Sequence, residues 1–165
     1  MVLPPGFADF EAEMTLTRKM LAAFPEAHAA WQPHAKSRTL AQLASHVAGL
    51  PQVGASILTT EMRDVTKQAP PKVRETTAEL ISAFDAAVIP LRDALANADS
   101  AVLAGVWSLR AGDKVLIQGT RGDMLRVVTL SHMIHHRAQL GVYYRLLGVP
   151  VPGTYGPSAD ESLPA

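Results

Sequence analysis

Apolar residues recur at helical spacing over most of this chain and fall into four long segments. In the first, Phe7, Phe10, Met14, Thr17, Leu21 and Phe24 alternate three- and four-residue steps and stop before Pro25. A loop through Trp31, Pro33 and His34 follows. The second segment opens on a capping-box pair, Thr39 and Gln42, with Leu40, Leu43, Val47 and Leu50 behind it. Val53, Ile57 and Leu58 keep the rhythm beyond Pro51, which predicts a kink there and not an end. Pro70-Pro71 breaks the chain. Thr76 and Glu79 then predict a second capping box ahead of Leu80, Phe84, Val88, Leu91 and Leu95, with a kink at Pro90.

The period changes between Gly105 and Gly119. Val106-Trp107-Ser108-Leu109 and Lys114-Val115-Leu116-Ile117 flank Arg110-Ala111-Gly112-Asp113, the pattern of a short hairpin or extended crossover. Two strands alone are marginal in water, so this piece must lean on the helices. The fourth helical segment opens at Thr120 and Asp123 and closes at Gly148 and Pro150. Its predicted inward stripe is Leu125, Val128, His132, His136, Gln139, Tyr143 and Leu146. The expected fold is all-α: an antiparallel four-helix bundle with that hairpin or crossover before the last helix. At 165 residues it is expected to form one domain, residues 1–165.

Composition narrows the function classes. The chain is 48% apolar and 18% charged, which suits a globular protein. Fifteen basic and fifteen acidic residues cancel, and nucleic-acid binding needs a basic surplus on one face, so no nucleic-acid partner is expected. No stretch approaches a membrane span, and Met1-Val2-Leu3-Pro4-Pro5-Gly6 lacks the order of a signal peptide. There is no cysteine, so disulfides, thiolate metal sites and a cysteine nucleophile are excluded. Cysteine-free composition fits a cytoplasmic location. Any metal must be held by nitrogen and oxygen.

His132-Met133-Ile134-His135-His136 carries the candidate chemistry. His132 and His136 are four apart and share one helix face, where two imidazoles can bind one ion. Two core-edge histidines bonded to neighbours or water would give the same pattern. Met133 stands where a zinc protease would carry glutamate, so that reading fails. His46 belongs to the apolar face of the second segment, between Leu43 and Leu50, and facing helices can bring it to the depth of the pair. Alone it reads as a satisfied core histidine. Three neutral imidazoles plus water would make an open, catalytic type of site. His28 and His34 belong to the first loop, and His135 to surface or to support of the pair. Arg137 suits a structural salt bridge, Gln139 a supporting contact to His136, and Trp107, Tyr143 and Tyr144 the core or a pocket wall. The tail from Thr154 to Glu161 can fold back, pack on a second subunit or fray.

Three stretches together resemble the DinB/YfiT-like metalloenzyme family. They are Leu43-Ala44-Ser45-His46-Val47, the run His132-Met133-Ile134-His135-His136-Arg137-Ala138-Gln139-Leu140, and Gly148-Val149-Pro150-Val151-Pro152-Gly153. The resemblance covers nearly the whole chain in order and spacing; Ala138 stands where members often carry glycine, and a small residue is kept. It implies a four-helix bundle with a three-histidine metal site whose ligands are His46, His132 and His136, and not His135.

Imidazole ligands do not choose among divalent first-row ions, and zinc or nickel is expected. An open position could lower the pKa of a bound water to about 7 or hold a thiolate. The resemblance implies thiol-dependent S-transfer or isomerisation with a low-molecular-weight thiol as cosubstrate, a small-molecule substrate, and a homodimer. Metal-dependent hydrolysis is the alternative at the same site. A non-catalytic metal-binding stress-response module is the reading from another class, and a bundle with mutually satisfied histidines the blandest.

Overall fold

The computed structural model describes residues 3–161. Helix dominates, as the periodicity predicts, with a small sheet at one end. The long helices are α1 (Phe10–Ala22), α2 (Leu40–Thr59) and α3 (Thr77–Ala96), followed by a short α4 (Ser100–Ala104). The last helical stretch has three parts: α5 (Arg121–Met124), a π-helical segment (Leu125–Ser131) and α6 (His132–Leu146). Three strands complete the fold: β1 (Met62–Asp64), β2 (Val106–Ala111) and β3 (Lys114–Thr120).

Capping explains where the helices begin. At α2 the Thr39 hydroxyl accepts from Gln42 N while the Gln42 side chain accepts from Thr39 N, a complete box. At α3 only half of the expected box forms. Thr76 Oγ1 accepts from Glu79 N, but the Glu79 carboxylate takes the Thr76 hydroxyl and leaves the backbone N–H alone. The first helix is shorter than its apolar rhythm: Phe7 and Phe24 are buried in the core but lie outside α1. Both prolines sit inside helices that continue through them, α2 at Pro51 and α3 at Pro90. Gly148 closes α6 with φ +71°, a left-handed turn that side chains resist.

The all-α expectation needs correction. The hairpin forms, with longer strands and a tighter turn than the sequence predicts: Ala111 pairs with Lys114, leaving Gly112-Asp113 as the loop. A third strand, β1, pairs in parallel with β2, Met62 opposite Ser108. Asp64 locks this junction. Its Oδ1 accepts from Thr66 N, Thr66 Oγ1 and Gly112 N, so one carboxylate ties the end of β1 to the hairpin tip. Trp107, fully buried on β2, anchors the sheet in the helical core, and its indole N–H donates to Thr60 Oγ1. That contact meets the need for the hairpin to lean on helices.

The core is continuous across the helices, with Phe10, Leu21, Leu43, Val47, Phe84, Leu91, Leu140 and Tyr144 in one cluster. In α6 the buried stripe is Met133, Arg137, Leu140 and Tyr144, one position later than predicted at the start. Tyr143 is buried as expected, but Leu146 is 61% exposed. The π turns explain the offset, because they hold more residues per turn and so shift each following residue around the helix relative to an unbroken α-helix.

Arg137 is the largest charged side chain buried in this core. Nη1 donates to Glu13 O (3.2 Å) and Thr17 Oγ1 (3.1 Å), and lies 2.8 Å from Glu13 Oε2. Both Nη1 hydrogens are committed to the first two, so the third contact is charge attraction without an aligned hydrogen. Tyr155 bridges the pair: its hydroxyl accepts from Arg137 Nη2 (2.7 Å) and donates to Glu13 Oε1 (2.7 Å). The tail folds back over α1 and α6, held also by Lys19–Glu161 and Arg145–Asp160. Among the described residues no helix is long and apolar enough to cross a membrane.

Candidate metal centre

Two helices build the site. His46 projects from the middle of α2, flanked by the buried Ser45 and Val47. His132 is the first residue of α6, directly after the π segment, and His136 lies one turn further on. Gly54 lets the two elements approach: a Cβ there would come within 2.9 Å of Thr129 Cγ2 and 3.0 Å of Leu91 Cδ1. With α2 pressed against the π segment at that level, His46 two turns earlier meets the histidine pair.

The three imidazoles converge. One ring nitrogen from each lies within 4.8 Å of the others. His132 Nε2 is 2.8 Å from His136 Nε2 and 3.4 Å from His46 Nε2. All three residues are half-buried, on a band of α6 beside the fully buried stripe.

The far side of each α6 ring is tied down. His132 Nδ1 is 3.3 Å from Val128 O, a carbonyl that can only accept, so Nδ1 carries the proton and Nε2 a bare lone pair. His136 Nδ1 is 2.7 Å from Gln139 Oε1, and donation to that oxygen gives the same tautomer. In that tautomer the two Nε2 lone pairs point at one another 2.8 Å apart, and a shared cation would relieve their repulsion. Burial acts in the same direction. It is the main cause that lowers the proton affinity of all three rings, with the Arg38 charge and the neighbouring imidazoles adding to it. For His46 the pKa is pushed down to about 4. The rings therefore stay neutral at pH 7, the form that binds metal. An all-nitrogen, borderline-soft donor set of three suits a first-row divalent ion.

The remaining candidates stand apart. His28 ends a short 3-10 turn and His34 lies in the following loop, both exposed. His135 is exposed, its ring 4.9 Å from that of His136. Arg137 is buried in the ion pair described above, and Gln139 supports His136 as its spacing predicts. Sequence reasoning missed Val128 as the partner of His132 and Arg38 as a charge near the rings. The first depends on a backbone carbonyl four residues back. The second has no signal beyond a basic residue before a helix cap.

A mostly helical protein with a three-histidine cluster that could hold a metal ion is the class that fold and site define. The sequence model of the DinB family matches residues 6–163, and this chain belongs to that family. A DinB-like protein from Bacillus cereus has a similar structure, with a TM-score of 0.69 and 20% identity, covering 89% of this chain and 93% of that one. A DinB-like protein from Bacillus subtilis is similar at a TM-score of 0.66 and 15% identity, covering 90% and 97% respectively. At such identities these two establish likeness of fold alone. No curated protein matches the chain.

Proposed function

We propose that this protein is a metal-dependent enzyme in which His46, His132 and His136 hold one zinc or nickel ion and leave a coordination position open. The observation that carries the reading is the convergence of one ring nitrogen from each of His46, His132 and His136 within 4.8 Å of one another, with His132 Nε2 only 2.8 Å from His136 Nε2. A divalent ion bound there would act as a Lewis acid, lowering the pKa of a water or thiol in the open position. The chain's own residues do the rest. Gln139 and Val128 O keep both Nδ1–H groups fixed, so the rings present lone pairs without rotating. Access favours an enzyme over a sealed storage module: the rings are half-buried, and His46 also lines an open cavity.

Within that reading we favour thiol-dependent S-transfer or related chemistry over hydrolysis. No carboxylate joins the histidine cluster among the described residues, so the cluster itself offers no general base of that type. A thiol ionises near ~8.5 and bulk water near ~15.7, so a thiol needs far less help to become a nucleophile. The thiol would arrive as a low-molecular-weight cosubstrate, since the chain has no cysteine. A four-helix-bundle scaffold, a small-molecule substrate, a homodimer and a cytoplasmic setting belong to the same proposal.

Metal analysis of protein purified without a histidine tag tests it, alongside His46→Ala and His132→Ala. About one equivalent of a divalent metal in the parent protein, lost in both variants, is expected. Parent protein that takes up no metal on reconstitution would sink the enzyme reading.

A further inference from the structure

His46 faces two ways. Its ring belongs to the triad, and the same residue lines a cavity of about 280 Å³ together with Arg38, Gln42, Ser45 and Lys72. The cavity wall is cationic. No carboxylate lines it, although the chain as a whole carries no net charge. The charge there is a local concentration and does not follow from a basic protein.

Arg38 is the central group. No carboxylate stands within ion-pair distance of it among the described residues, whereas eight other cations are paired. Arg38 and His46 line the same cavity, which places the guanidinium beside the histidine triad. Its backbone is held from the far side, where the Tyr143 hydroxyl donates to Arg38 O at 3.3 Å and the Tyr143 ring packs edge-on against Trp31. Lys72 comes from the segment before α3. That segment is strapped to α2, since Arg74 N donates to Ser45 Oγ at 2.7 Å. Lys72 itself has one long, solvated contact, 3.9 Å to Glu79, with both side chains largely exposed. The start of α2, capped at Thr39, adds the positive end of a 20-residue helix at the same place.

We propose that this cavity is an anion subsite, which receives a carboxylate of a small-molecule ligand whose donor atom reaches the histidine triad. The proposal rests on the metal-site reading above and gives its substrate or cosubstrate a chemical class: a carboxylate-bearing small molecule. Arg38 supplies the planar fork that matches a carboxylate, and Lys72 a mobile second charge. Both groups position the ligand and take no part in bond making.

The test is calorimetric titration of zinc-loaded protein with 3-mercaptopropionate and with its uncharged amide, under anaerobic conditions, with metal content measured on every sample. Arg38→Ala and the Arg38→Ala/Lys72→Ala pair are compared with the parent protein. Expected is a preference for the carboxylate of about five- to tenfold, weakening with salt and closing in the variants while metal content stays unchanged. Arg38→Lys should keep part of it. Equal affinities in the parent protein, or a preference that survives the double substitution, would overturn the anion subsite and leave the metal site standing. Parent protein without zinc would overturn both.

Discussion

Glu13→Ala removes one half of a fully buried ion pair, and the structure gives the consequence. The Arg137 and Glu13 side chains are 2% and 5% exposed, so neither charge has water to fall back on. Without the carboxylate, the guanidinium keeps Glu13 O, Thr17 Oγ1 and the Tyr155 hydroxyl, all neutral acceptors. Breaking a buried pair from one side costs about 3–5 kcal/mol, because an uncompensated charge remains. In a protein of this size each kcal/mol shifts the melting temperature by about 2–4 °C, so a fall of roughly 6–20 °C is expected by calorimetry. The double variant Glu13→Leu/Arg137→Met removes both charges and fills similar volume, and it should recover most of that loss. There is a functional arm as well. Arg137 follows His136 directly and clamps the core face of α6 to α1, so a loosened clamp in Glu13→Ala should also lower metal occupancy. A single variant that loses less than about 1 kcal/mol, or a double variant no more stable than the single, would refute the argument.

Gln139→Ala frees the Nδ1–H of His136 and should weaken metal binding about 10- to 100-fold while leaving the fold intact, as competition with a chromogenic chelator would measure. Unchanged affinity would mean that Gln139 does not hold the ring. Gly54→Ala forces a methyl against Thr129 and Leu91; overpacking of about 1–3 kcal/mol outweighs the roughly 1 kcal/mol gained in helix propensity, so thermal stability should fall. A stabilised variant would show that the two elements can separate at no cost. Metal-free protein should lose stability on going from about pH 7 to about pH 5. His46 has a folded-state pKa of about 4 against an ordinary 6.5, so below 6.5 the unfolded chain takes up a proton that the native protein refuses. That contribution is complete above 6.5, shrinks as pH falls and is gone below about 4; His46→Gln should flatten the profile, and an unchanged slope would exclude His46 as its source.

The helical segments and the cluster were legible because both follow from spacing. His132 and His136 share a face at four residues apart wherever they stand on a helix, and His46 was marked by the apolar positions around it. The hairpin showed in its change of period. The third strand did not, because Met62–Asp64 is three residues long and cannot display an alternation. The buried stripe of α6 was misjudged because a 3.6-residue period was carried through a segment that does not keep it. The Arg137–Glu13–Tyr155 network was only half visible. An arginine can be expected to pair, but its partner lies more than a hundred residues away in the chain, and no local rule selects it.

The π segment from Leu125 to Ser131 has a bearing on how this family can vary. Each residue of an α-helix turns the chain by about 100°, so a single-residue deletion within the segment acts as a change of frame for everything after it. His132 and His136 would swing away from His46, and the neighbouring face carrying Met133 and Arg137 would move with them. A substitution at an outward position such as Val127 leaves this frame intact; a change in length does not, since it would uncouple the metal face from the clamp on α1 in one step. Among relatives, the spacing between the start of this helix and its first histidine should therefore be a better guide to a working site than the identity of the residues in between.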